Sequence, residues 1–117
     1  MRRNLTIVTF QTATVAAALM TVTLSAIGGA APPPAQASVQ IANFTFDKAS
    51  LTVKPGTTVT WTNADDIPHT VVSNSGLFRS KVLDSGDRFS FTFAKPGSFG
   101  YFCSIHPHMT GTIIVRP

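Results

Sequence analysis

The chain has 117 residues, enough for one domain and no more. Nine Lys and Arg against five Asp and Glu give a formal +4 at pH 7; without Arg2 and Arg3, which open the chain, the balance is seven against five, or +2. So small and scattered a charge excludes a nucleic-acid surface, and a single cysteine, Cys103, excludes a disulfide within the chain.

The chain begins Met1-Arg2-Arg3 and carries no charged side chain from there until Asp47. An apolar core, best between Val15 and Leu24, leads to Pro32-Pro33-Pro34 and then to Ala35-Gln36-Ala37. A positive start, an apolar middle and an Ala-x-Ala end predict an export signal over residues 1–37, cleaved after Ala37. The destination is then the periplasm or the exterior. The alternative is an uncleaved membrane anchor followed by a Pro-rich linker, since the uncharged stretch could span about 20 residues of bilayer. Gln11 and the interspersed threonines, among them Thr12, Thr14 and Thr21, weigh against that alternative.

From residue 38 the pattern is all-β. Runs rich in Val, Ile, Thr and Phe alternate at period two between Pro, Gly, Asp and Ser turns. Strands are expected near 39–46, 51–53, 57–63, 69–73, 88–93, 98–103 and 111–115. Val59 and Trp61 share one face of their strand against Thr58, Thr60 and Thr62, and Phe89, Phe91 and Phe93 share another against Arg88, Ser90 and Thr92. Trp61, Phe44, Phe46 and the Phe89–Phe93 row are read as core. Lys54-Pro55-Gly56 and Lys95-Pro96-Gly97 both fit a type II turn, with proline fixing the first central φ and glycine supplying the positive one. Seven short strands at this spacing predict a two-sheet Greek-key β-sandwich. The stretch 73–87 is the least regular. Asp65 and Asp66 read as turn and solvation residues.

A domain this small, over residues 38–117, often needs disulfides, and this one has none to use. A lone thiol in an oxidising compartment also needs protection. The segment Cys103-Ser104-Ile105-His106-Pro107-His108-Met109 supplies the chemistry for it. Thiolate, imidazole and thioether recur at three-residue intervals between the end of one strand and the start of the next. Extended, Cys103 to Met109 would cover about 20 Å, so the loop must fold back to reach one ion, and Pro107 helps by fixing φ. His69, after Pro68 at the start of a strand, is the fourth candidate. Two imidazoles, a thiolate and a weak axial methionine are the blue-copper donor set. Structural zinc sites rarely use methionine, and calcium or magnesium would want carboxylates, which this loop lacks. His108 is then a surface side chain near the site.

These residues resemble the cupredoxins of the plastocyanin/amicyanin family, over essentially all of residues 38–117. The loop Cys103-x2-His106-x2-Met109, with Pro107 after the histidine, is similar to the short ligand loop of amicyanins; plastocyanins have a longer interval between His and Met. Pro68-His69, the aromatic Phe102 before the cysteine, and the end strand Gly111-Thr112-Ile113-Ile114-Val115 also match. The resemblance implies one copper ion per chain on His69, Cys103, His106 and Met109. It further implies an electron port at His106, with Pro107 and Ile105 around it. Thr70 departs from the family pattern, which places an asparagine there to tie the two ligand loops together.

The function implied is one-electron transfer between a donor and an acceptor protein outside the cytoplasm, by a monomeric carrier. No nucleophile–base pair, phosphate loop or open substrate site points to an enzyme. A copper-handling protein without redox partners is the second reading, and a cupredoxin-fold interaction module without metal is the third; the complete donor set argues against the last.

Overall fold

The computed structural model describes residues 35–117, together with residues 9, 11–14, 16–18 and 21. The chain divides into two units, Met1–Ala31 and Pro32–Pro117, and the second carries the fold. Most of the expected export signal, residues 1–37, lies outside the described residues, and its last two, Gln36 and Ala37, open the first strand.

Among the described residues the unit has eight strands: β1 (Gln36–Ala42), β2 (Thr45–Phe46), β3 (Ser50–Val53), β4 (Thr57–Asn63), β5 (Val72–Ser73), β6 (Arg88–Phe93), β7 (Gly97–Phe102) and β8 (Thr110–Val115). They form two four-stranded sheets, ordered β2-β1-β4-β6 and β3-β8-β7-β5. The β1–β4 and β3–β8 pairs are parallel and the rest antiparallel. The expected two-sheet sandwich is therefore present.

Alternation explains the sheets. In β4, Thr57, Val59, Trp61 and Asn63 are buried while Thr58, Thr60 and Thr62 are only half so. The outer hydroxyls bond across to β6, Thr58 to Thr92 and Thr60 to Ser90, both at 2.7 Å. Such cross-strand pairs hold register on the face that packing does not reach. Inside, Trp61, Phe78, Phe93 and Tyr101 form one aromatic cluster, with Trp61 edge-on to Tyr101 at 5.3 Å. Each fully buried aromatic contributes about 1.5–3 kcal/mol of burial, which a domain without disulfides requires.

Four expectations need correction. The run 39–46 is not one strand: Asn43 and Phe44 both adopt left-handed φ, 52° and 56°. That breaks it into a two-residue hairpin pairing Ala42 with Thr45, the geometry of a type I′ turn. Phe44 consequently leaves the core and is 46% exposed. The strand expected at 69–73 shrinks to Val72–Ser73, because His69 pairs instead with Leu83 and Val72 with Arg79, from the irregular 74–87 excursion. Of the two Pro-Gly turns only the first closes, with Gly56 at φ 87° and Thr57 N donating to Lys54 O at 3.2 Å. Gly97, at φ 152°, instead opens β7 by pairing with Val115.

Gly111 faces Tyr101 across the β7–β8 ladder, and a Cβ there would overlap the Tyr101 ring and hydroxyl. Tyr101 is fully buried and cannot yield. Gly111→Ala is therefore expected to cost about 1–3 kcal/mol through overpacking, lowering Tm by roughly 4–8 °C per kcal/mol in thermal denaturation. An unchanged Tm would contradict this packing.

Candidate metal centre

The chemistry-bearing residues gather at one end of the sandwich. Cys103 follows the last residue of β7, and Met109 precedes the first of β8. The loop between them folds back as its spacing requires: Cys103 N donates to Met109 O at 3.0 Å, and Met109 N to His106 O at 2.9 Å. His69 arrives from the other sheet connection, held by reciprocal backbone bonds with Leu83 at 3.0 and 2.8 Å.

The donor atoms of His69, Cys103 and His106 lie within 4.8 Å of one another. Nδ1 of His69 is 3.9 Å from Cys103 Sγ, and Nδ1 of His106 is 3.7 Å from it. His69 and Cys103 are fully buried, Met109 nearly so, and His106 half-buried. His108 is exposed, as expected for a residue outside the set. Three soft or borderline donors converge, no carboxylate among the described residues joins the group, and Met109 is drawn beside Cys103 by the backbone. That set fits copper and does not fit calcium or magnesium.

Thr70 serves both loops. Its amide donates to Cys103 Sγ at 3.4 Å and its hydroxyl lies 3.7 Å from the same sulfur. The hydroxyl also accepts from Ser104 N at 2.7 Å and pairs with Ser104 Oγ at 2.7 Å. A threonine thus makes a link between the ligand loops at the position where an asparagine was expected to make it. Burial opposes the Cys103 thiolate. The Thr70 amide, the His69 ring, the Thr70 hydroxyl and the Ile105 amide together outweigh it and lower the thiol to about 6.

Three contributors were not legible from the sequence. Asp65 is no solvated turn residue: its Oδ2 lies 2.8 Å from His69 Nε2, and the Phe44 amide, followed by the Asn43 amide and His69, keeps its carboxyl below the ordinary range. Asn63 is fully buried and donates to both Ile67 O and Leu83 O at 2.9 Å. Phe44 lies edge-on to His69 at 5.5 Å and to His106 at 4.9 Å. Asn43 inside an apolar run was the available signal of a break, since asparagine tolerates left-handed φ.

A family model described as "Cupredoxin-like domain" matches residues 12–115. Amicyanin-alpha of Methylorubrum extorquens is 35% identical over 89 residues, covering 72% of this chain and 75% of that protein. A plastocyanin of Scenedesmus fuscus is 34% identical over 84 residues, covering 61% and 86% respectively. Among solved structures, a purple cupredoxin from Nitrosopumilus maritimus superposes with a TM-score of 0.64 at 36% identity, covering 68% of this chain and 99% of its own.

The lowered thiol has a definite consequence for the metal-free domain. Its folded pKa, about 6, lies below the ordinary thiol value of about 8.5. The thiolate therefore adds stability that is fully present above the unfolded pKa and is lost as pH falls through about 6. Ultraviolet thiolate absorption of the metal-free protein should titrate near that value, with stability to denaturant falling over the same range. A midpoint at or above the ordinary thiol value would refute the assignment.

Proposed function

The chain belongs to the cupredoxin-like family, and on that premise we propose that it is a copper-dependent one-electron carrier working between protein partners outside the cytoplasm. His69, Cys103, His106 and Met109 hold the metal. The observation that carries this reading is the convergence of a buried thiolate with two imidazole Nδ1 atoms, with no carboxylate in the group. Bound copper supplies the Cu(I)/Cu(II) couple. The chain supplies the rest: Thr70 stabilises the sulfur's negative charge, the sandwich fixes His69, and the short 104–108 loop carries His106 to the surface.

His106 is the port. It is the half-buried member of the set, and around it the surface is apolar: Ile105, Ile67 and Phe44 are 47, 37 and 46% exposed, beside exposed Pro68 and Pro107. Apolar side chains there let two proteins approach closely at little desolvation cost. The protein acts as a monomer through transient contacts at this face. The amicyanin and plastocyanin relatives support an extracytoplasmic carrier rather than an enzyme in its own right.

The deciding experiment is an absorption spectrum of the copper-loaded residues 38–117. A thiolate-bound Cu(II) gives an intense visible charge-transfer band, so the oxidised protein should be strongly coloured and Cys103→Ser colourless, even where some metal still binds. Stoichiometric copper without colour would end the reading. The port is tested separately. Ile105→Glu should leave the spectrum intact but slow electron self-exchange by at least about tenfold, because two like charges then meet at the contact. Unchanged self-exchange would move the port elsewhere.

A further inference from the structure

We infer that Asp65 is a positioning residue of the metal centre: its one carboxylate orients the His69 ring and, by capping the Asn43–Phe44 turn, holds the Phe44 ring across both histidines. The inference rests on the reading of His69 and His106 as copper ligands.

Asp65 joins three parts of the fold. Oδ1 accepts from Asn43 N at 2.7 Å, while Oδ2 accepts from Phe44 N at 3.1 Å and from His69 Nε2 at 2.8 Å. An ionised carboxylate can only accept, so Nε2 carries a proton toward Asp65 while Nδ1 faces Cys103. A donor bond of that kind fixes the tautomer and raises the basicity of the ligating nitrogen. The carboxylate is itself fixed. Asp65 N donates to Asn63 Oδ1 at 2.9 Å, and the buried Asn63 amide grips Ile67 O and Leu83 O. Leu83 O also receives His69 N, so Asp65 and the ring it orients are tied to the same buried asparagine.

The turn supplies an independent observation. A type I′ hairpin wants positive φ at both central residues, and glycine is the usual second one. Here that residue is Phe44 at φ 56°, a strained choice for a bulky side chain. Its ring is half in solvent, so core packing does not explain it. What the ring touches does: it stands edge-on to both imidazoles, at interplanar angles of 88° and 86°. The strain persists because Asp65 caps both amides of the turn, and the result is an apolar cover over the half-buried ligand.

Two variants separate this from a merely structural role. Phe44→Gly relieves the turn while deleting the ring. The metal-free variant should therefore melt at or above the wild-type temperature, yet yield copper several-fold faster to a chelator such as EDTA or bathocuproine. Asp65→Asn keeps an oxygen for the turn but cannot accept from His69 with both side-chain atoms. It should remain coloured, lose about 10- to 100-fold in Cu(II) affinity and lose less for Cu(I), raising the reduction potential by about 59 mV per tenfold of difference. In the diamagnetic Cu(I) protein, NMR should show a protected His69 Nε2 proton that disappears in Asp65→Asn. A wild-type potential with the proton still protected in Asp65→Asn, or wild-type copper retention in Phe44→Gly, overturns the inference. A wild-type protein that itself shows no thiolate band instead defeats the copper reading beneath it.

Discussion

A thiolate buried in a protein interior must be compensated, and the arrangement around Cys103 follows from that requirement. Desolvation alone would keep the thiol protonated. The opposing donors come mainly from Thr70, 33 residues away in sequence, which adjoins His69. To deliver them, the chain must bring the β4–β5 connection against the loop between β7 and β8. The Val72–Phe102 pairing does so, and the Thr70–Ser104 bonds complete it. Docking of the two ligand loops is thus a property of the polypeptide's own hydrogen bonds, with the donor atoms gathered by the same contacts.

The aromatic core sets the direction of the sulfur. Tyr101 near the end of β7 and Cys103 just past it are two residues apart and both fully buried, as residues that point to the same side are. Tyr101 is locked between Trp61, Phe46 and the bare backbone of Gly111, and its burial pushes the hydroxyl up to about 12, so no charge arises there at any physiological pH. Packing that fixes Tyr101 thereby aims Cys103 inward. Fold stability and site geometry are coupled through two nearby residues, Tyr101 in β7 and Cys103 just beyond it.

Period-two alternation was enough to place most of the sandwich from the sequence, because a half-buried strand must segregate its faces; β4 and β6 follow that pattern residue by residue. The donor set was legible for a different reason: Cys103, His106 and Met109 are close in sequence, and their softness narrows the ion. What alternation could not reveal was where a backbone turns against its side-chain pattern. Phe44 sits in an apolar run but shares parity with exposed Gln40 rather than with buried Val39 and Ile41, and the turn with its left-handed φ carries it out of the core. Asp65 was misread because a carboxylate in a loop is ordinarily solvated. Its partners, Asn43, Phe44 and His69, come from two segments about twenty residues apart, a proximity that depends on β1 pairing in parallel with β4.

The two histidines are not equivalent, and the difference suits electron transfer. His69 is fully buried, bonded to Leu83 through its backbone and to Asp65 through its ring. His106 stands half-buried in a five-residue loop closed by the Cys103 amide donating to Met109 O, with its ring 4.9 Å from that of Phe44. An ion that gains and loses one electron is best served by ligands that stay put, since every displacement adds to the reorganisation that accompanies transfer. It must also lie within reach of a partner. The proposed port answers both demands, with the rigidity in buried His69 and Cys103 and the access in half-buried His106. The two requirements conflict only at the surface, where an exposed loop would ordinarily move; the short loop, Pro107 and the covering ring of Phe44 restrain it there without burying it.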